Sequence, residues 1–342
     1  MQPNIGVVGA GTLLAKEVFI WIEKWHFPYQ ELYLFDQMQW VGTIKKCKDK
    51  YYPISNMQEI EGKEVHLLFI CDAMLYEKYK DKIAPNSYCI LLKGNVDEHV
   101  ILPRFNLENN TEELKCIKIP ECSTIPVAQA LHVLQTAYTL QYISITSMHP
   151  VSELDYIGCN ELKQQLKDYY LEKQPEAHVF PYITCHQHLP ILFHPLPQCD
   201  AFLTNGSTLS EDILCKQVQY LLQDQLPLYA TCIRVDSMRG LSQVVCVKTK
   251  EPIHIEQIQD LFAGSSFFVL MDDIEHNMYP MISDVLHDHR TFIGRIRKMD
   301  DYTLQFWMVS DDIAQRVGSG LQAAYYIYHP ELQVETGIKD RN

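Results

Sequence analysis

The first 36 residues constrain the fold more than any other part of the chain. Asn4-Ile5-Gly6-Val7-Val8-Gly9 is a short apolar run that ends at glycine. Ala10-Gly11-Thr12 follows, and then a stretch from Leu13 to about Trp25 with apolar residues at helical spacing. Glu31 to Asp36 reads as a second strand closing on a carboxylate. A strand, a glycine turn, a helix and a second strand in this order form the first unit of a doubly wound parallel sheet. In such a turn, backbone N–H groups approach a pyrophosphate and the helix dipole helps to hold it. Gly9, Gly11 and Thr12 are therefore expected to bind a nucleotide. Asp36 is expected to accept a hydrogen bond from a ribose 2′-hydroxyl, which favours NAD over NADP. The fingerprint is incomplete, because the position three beyond Gly11 is Leu14. The plainer reading is a turn that only packs the fold.

Further along, Val65 to Cys71, Tyr88 to Leu92 and Lys115 to Ile119 read as buried strands, and a helix runs from Pro120-Glu121-Cys122-Ser123-Thr124 to about Tyr138. Ser123 or Thr124 suits its cap, and Pro126 its first turn. A second pattern follows. Its strands are Gln141–Met148, Ala230–Val235, Gln243–Lys248, Phe267–Met271 and Thr303–Val309. Its helices are Ile157–Lys173, Glu211–Leu222, Ile255–Phe262 and about Asp311–Tyr328. The basic run Lys45-Lys46-Cys47-Lys48-Asp49-Lys50 reads as a solvated loop. The 342 residues suit about two domains. With 29 basic and 43 acidic residues the net charge is −14, which argues against nucleic acid or an anionic membrane as partner. Eleven cysteines without C-x-x-C spacing read as reduced thiols in a cytoplasmic protein. No apolar run is long enough to span a bilayer.

Cys122 sits where a strand gives way to a helix, a place that favours thiolate. The segment Cys116-Ile-Lys-Ile-Pro-Glu-Cys-Ser-Thr-Ile125 resembles the active-site segment of the aspartate-semialdehyde dehydrogenases. Phe180-Pro181-Tyr182, Thr231-Cys232-Ile233-Arg234-Val235 with Arg239-Gly240, Glu275 to Pro280, Gly294 to Arg297 and Leu304 to Trp307 extend the resemblance in order along the chain. The resemblance implies an α/β fold: a Rossmann-like doubly wound nucleotide domain over 1–121, and an α+β catalytic and dimerisation domain over 122–310. It also implies a C-terminal helix, 311–330, that packs back on the first domain. It implies an NADP-dependent oxidoreductase of amino-acid biosynthesis that works as a homodimer. In that family a cysteine attacks the acyl carbon, a histidine exchanges protons and an arginine holds the substrate carboxylate. Cys122 and Arg234 match the first and last of these.

Several matching positions depart from the family pattern. The base expected after Arg239-Gly240 is Leu241, which exchanges no proton, and losing a general base costs about 10²–10⁴ in rate. The glutamine expected 27 residues after the cysteine is His149. The asparagine before the cysteine is Glu121, and a glutamate and lysine near 210 fall on Ser210 and Ile213. A phosphate loop is missing around Leu91-Leu92-Lys93-Gly94-Asn95. The pair that reads the NADP 2′-phosphate falls on Gln39 and Trp40, and two glycines of the turn fall on Thr12 and Ala15. The selective loss resembles the USG-type paralogues of the family. It implies weak or absent NAD or NADP binding and a regulatory or scaffolding role, as a homodimer or as a heterodimer with an active paralogue. Two alternatives remain: an active semialdehyde dehydrogenase with altered preferences, using Cys122, His149 and Arg234, and a Cys122–His149 acyl-transfer enzyme without nicotinamide. The substrate in either case is a small aldehyde or acyl compound. Cys185-His186-Gln187-His188, with His194 and Cys199, has metal-like spacing but reads as an ordinary loop, so no metal is expected.

Overall fold

The computed structural model describes residues 2–93, 99–107 and 115–328. They form two compact units, one of residues 1–120 with the chain from Arg316 onward, the other Glu121–Gln315.

The first unit contains, in order, β1 (Ile5–Val8), α1 (Leu13–Lys24), β2 (Leu32–Asp36), β3 (Ile44–Cys47), β4 (Lys50–Asn56), β5 (Leu67–Ile70), α2 (Ala73–Tyr79), β6 (Tyr88–Leu91) and β7 (Cys116–Lys118). They make one seven-stranded sheet of order β3-β4-β2-β1-β5-β6-β7. All neighbours are parallel except the β3–β4 pair. Central parallel strands are covered on both faces and so are apolar throughout. Ile5, Val7, Val8 and Leu67 through Ile70 accordingly expose nothing. Order reverses between β1 and β5, the crevice where folds of this class bind ligands. The basic run at 45–50 is not a loop, as its charge suggests. It forms a hairpin in which Cys47 pairs with Lys50 around the two-residue turn Lys48-Asp49. Only Cys47 is buried in β3, and the lysines sit on an outer edge strand, where charge discourages further pairing. The strand is hidden in the sequence because its only buried residue is a thiol among lysines.

The second unit contains α3 (Thr124–Gln135), β8 (Leu140–His149), α4 (Asp155–Tyr170), α5 (Leu209–Leu222), β9 (Leu228–Arg234), β10 (Leu241–Thr249), α6 (Ile255–Ala263), β11 (Phe268–Leu270), α7 (Ile282–Val285), β12 (Thr291–Asp300) and β13 (Thr303–Ser310). Its six-stranded sheet runs β11-β12-β13-β10-β8-β9. α8 (Asp312–Tyr328) closes the described chain. From Arg316 it groups with the first unit, where Gly320 lets it lie against Leu92; a Cβ there would overlap the Leu92 side chain. Ser123 occupies the cap position of α3 but makes no side-chain capping bond. The Thr124 hydroxyl instead donates to Gln217 on α5.

Gly294 in β12 is a packing requirement. A Cβ at that position would run into the Met271 carbonyl oxygen and come within 2.8 Å of Pro280 Cδ. Gly294→Ala is expected to destabilise the chain by about 3 kcal/mol, the upper end of the usual cost of forced overpacking, measured by chemical denaturation.

Candidate functional site

The second unit brings Cys122, His149 and Arg234 to one place. β8 and β9 are parallel, and His149 is the register partner of Arg234 at their carboxyl ends. Alternation puts Ser147 and His149 on one face of β8, and Gln243 of β10 is the partner of Ser147. The turn into α3 faces this corner. Gln243 Nε2 donates to Ser123 O at 3.0 Å and to Ser147 Oγ at 3.1 Å. From the other side, Gln217 Oε1 accepts from Glu121 N–H at 3.0 Å and from the Thr124 hydroxyl at 2.9 Å. Two amides on separate elements thus hold the backbone that presents Cys122, which is 2% exposed.

A fourth residue joins these groups. Glu153, on the turn that follows β8, accepts the Cys122 S–H at 3.0 Å and a bond from His149 Nδ1 at 2.6 Å, both on Oε1. Its Oε2 accepts from Arg234 Nη1 at 2.6 Å, and the same nitrogen donates to Pro150 O at 2.8 Å. The imidazole and the thiol therefore converge on one carboxylate oxygen. Burial would push the Glu153 carboxyl up, but His149 and Arg234, with the hydrogen bonds from His149 and Cys122, hold it well below the usual carboxylate range. Glu153 is thus a fixed negative charge beside the sulfur. His149 Nε2, Arg234 Nε and Gln243 Oε1 are buried and lack a protein hydrogen-bond partner.

Leu241, at the position of the expected base, opens β10 and is fully buried. The preceding Arg239 pairs with Asp311 at 2.8 Å. Gly240 N–H and the Ser152 hydroxyl both donate to Asp312, whose carboxyl is pushed up to about 6 by burial and by Asp311. Glu211, next to the expected glutamate position, caps α5 through Thr208 N–H and accepts from Cys232 N–H. Among the described residues no three His, Cys, Asp or Glu side chains group as metal ligands. The Cys185 thiol donates to Gln187 O, and His194 Nδ1 meets Leu192 O.

The nucleotide residues gather in the first unit. Gly9 adopts a φ of +80° against the Asp72 backbone, a conformation that suits glycine. Thr12 caps α1, accepting from Ala15 N–H at 3.2 Å. The turn's donors are already taken: Gly9 and Ala10 N–H go to Phe35 O, and Thr12 N–H goes to Gly9 O. Gly11 N–H goes to Asp36 Oδ2 at 2.6 Å, while Gln37 N–H takes Oδ1 at 2.6 Å. Burial raises the Asp36 carboxyl, against the pull of those two bonds. The indole of Trp40 covers Gly11, with three ring atoms within 2.8 Å of where a Cβ would stand. As packed, the turn offers no free backbone N–H from Gly9 to Thr12. The sequence positions Gly94 and Asn95, read as a missing phosphate loop, lie outside the described residues.

Sequence reasoning missed Glu153, Gln217 and Gln243. Glu153 lies four residues after His149, and a carboxylate that close to a candidate histidine was the available signal. The two glutamines gave none, since their partners lie 93 to 120 positions away.

A family model described as "Semialdehyde dehydrogenase, dimerisation domain" matches residues 131–315. An aspartate-semialdehyde dehydrogenase of Campylobacter jejuni is 25% identical over 337 residues, covering 94% of this chain and 95% of that protein. Among solved structures, aspartate semialdehyde dehydrogenase II of Vibrio cholerae complexed with ASA superposes with a TM-score of 0.87 at 22% identity, covering 96% of this chain and 99% of that one. The aspartate semialdehyde dehydrogenase of Candida albicans with NADP gives 0.66 at 14% identity, covering 95% and 98%.

The ion pairs of Glu153 carry a pH signature. A carboxyl whose folded-state pKa is depressed adds stability above its unfolded value, and that stability is lost as pH falls through the folded value. Glu153→Gln should cost about 3 kcal/mol near pH 7, because it leaves Arg234 buried without its counter-charge. The gap between variant and parent should narrow as pH drops well below 4.5, measured by urea denaturation across that range.

Proposed function

We propose, from the premise that the chain belongs to the semialdehyde dehydrogenase family, that it keeps the family's fold and assembly but has lost or strongly weakened the phosphorylating, NADP-dependent reaction. The observation that carries this reading is Glu153. The thiolate that would attack an acyl carbon must form 3.0 Å from a carboxylate held in its charged form. Two like charges at that distance disfavour each other, so the carboxylate works against a negative charge on the sulfur. Arg234, the match to the family's substrate-binding arginine, already holds an internal carboxylate. Leu241 supplies no proton. These features agree with a USG-type paralogue in a regulatory or scaffolding role.

The packed glycine turn agrees with weak or absent NAD(P) binding. The acidic chain, its free cysteines and the absence of any membrane-crossing helix among the described residues suit a cytoplasmic protein. Assembly is assigned to the outer face of the six-stranded sheet, opposite His149 and Arg234. There Tyr142 and Tyr229 pack together at 5.5 Å, and Met148, Val244 and Ile233 are half-buried. This face, which mixes those side chains with Ser144, Thr146 and Thr231, fits a second copy of the chain as homodimer, and offers the same surface to an active paralogue as heterodimer.

Three experiments test the reading. With aspartate semialdehyde, phosphate and NADP or NAD, turnover should fall about 10²–10⁴-fold or more below an active family enzyme. Family-level rates that vanish in Cys122→Ala would restore the dehydrogenase. Alkylation of Cys122 by iodoacetamide, followed by mass spectrometry at pH 7.5, should be slow. It should quicken at least about tenfold in Glu153→Gln, the effect of one pKa unit. For assembly, Val244→Arg should convert a dimer into a monomer by sedimentation velocity without loss of secondary structure; an unchanged dimer would move the interface elsewhere.

A further inference from the structure

Two neighbouring carboxylates, Asp311 and Asp312, lie at the start of α8 within the second unit, the first fully buried and the second 3% exposed. Their partners differ. Asp311 pairs with Arg239 at 2.8 Å and accepts His287 N–H at 2.8 Å. It also takes Ile313 and Ala314 N–H at 3.0 and 2.9 Å, which caps the helix. Asp312 accepts Gly240 N–H on Oδ1 and the Ser152 hydroxyl on Oδ2, each at 2.8 Å. Neither of these two partners carries a charge.

Through the two bonds Asp312 joins the turn that carries Glu153 to the turn that leads into Leu241. A backbone bond from Val151 N–H to Ser237 O, at 2.9 Å, runs beside them. Gly240 has little room to give, because its φ is +97° and a Cβ would stand 2.6 Å from Ile282 Cγ2. Ser152 is buried as well, and Glu153 is the next residue.

The charges around Asp312 do not balance. Asp311 pairs with Arg239, and Glu153 with Arg234. Both carboxylates face Asp312, as does the Cys159 thiol of α4, and Arg316 follows one turn along α8. A third buried carboxyl with neutral partners is favoured as the acid, by burial and by like charge. Neutral Asp312 keeps the Gly240 bond on Oδ1 and gives its Oδ2 proton to the Ser152 oxygen, which turns from donor to acceptor.

We propose that Asp312 is a positioning residue for the Cys122–His149–Glu153–Arg234 site, and that one proton on it regulates both the hold on the Glu153 turn and the charge that the Cys122 sulfur faces. Neutral, it ties the two turns without adding charge. Ionised, it sets a further negative charge beside the Glu153 turn and works against a charged sulfur. The inference rests on the reading above that Glu153 opposes that charge, and it adds the regulation of the same site.

Asp312→Asn reproduces the neutral form, with its amide oxygen on Gly240 and its amide nitrogen on Ser152. The full chain and this variant are compared by urea denaturation from pH 4.5 to 7.5. Asp312 is raised from 3.8 to about 6, so its contribution to stability is full below the unfolded value and is lost as pH rises through the folded one. The variant should gain on the parent across that range by at least about tenfold in the folding equilibrium constant. A constant offset, such as a poorly seated amide would give, would overturn the role of the proton. The same pair is then compared in the rate at which 4,4′-dithiodipyridine modifies Cys122, followed by peptide mass spectrometry. The two rates should agree within about twofold at pH 5, and the variant should be at least about threefold faster at pH 7.5, the effect of half a pKa unit. A ratio that stays the same at every pH would overturn the link to the site and leave Asp312 a structural residue. The parent's own rate tests the earlier reading. A Cys122 that reacts as fast as free cysteine would sink that reading, while a ratio that still rises with pH would support the regulation argued from Asp312.

Discussion

The Glu153 carboxylate is the interaction on which the second unit's candidate site depends. One side chain takes a thiol, an imidazole and a guanidinium from three separate segments. Burying a guanidinium costs several kcal/mol unless a counter-charge and good hydrogen bonds come with it. Arg234 is 3% exposed, so Glu153 is what makes its position tenable. The same carboxylate fixes the chemistry of its neighbours. It orients the imidazole by binding Nδ1, and it accepts the Cys122 S–H on the same oxygen. Structure and chemistry here pull in opposite directions. On the reading proposed above, the group that stabilises the buried arginine also works against the nucleophile beside it.

The sheet supplies the geometry that lets this happen. His149 and Arg234 meet because β8 and β9 are parallel and in register, so two residues 85 positions apart end side by side. Gln243 enters from the antiparallel neighbour β10 and reaches across to the turn before α3. Gln217 does the same from α5. Cys122 needs no bond of its own to be placed, because the residues on both sides of it are held. A site on strand ends and a helix start inherits the rigidity of the sheet.

Much of the fold was legible because its signals are local. The opening unit is marked by an apolar run, a glycine turn and a helical period, and β5 by unbroken apolar residues buried on both faces. The β3–β4 hairpin was not legible, since lysines on an edge strand look like a solvated loop. At the site, residue types and the resemblance marked Cys122, His149 and Arg234. The partner that links them was not marked, because a glutamate four residues past a strand is ordinary in sequence. Only the return of β9 beside β8 turns it into the counter-ion of a buried arginine. The same holds for Asp36. The sequence shows a carboxylate ready for a ribose, but a strand end next to a glycine turn also lets it bend back onto Gly11.

The two units share a physical logic. A pocket built to hold a charged ligand contains buried donors and cations that are costly when left unpaired. Without ligand, such groups need partners from within the chain. Arg234 is satisfied by Glu153, and the Gly11 N–H by Asp36, with Trp40 filling the space above it. In each case an internal side chain stands where the resemblance places part of a ligand: a substrate carboxylate in one unit, a pyrophosphate in the other. Substitution from within keeps the fold stable without ligand, which removal of the arginine or the glycines would not achieve as cheaply in structural change. On the proposed reading, a base supplied in place of Leu241 would not by itself restore the family reaction. A substrate carboxylate would have to displace Glu153 from Arg234, and the displaced charge would still need somewhere to go beside Cys122.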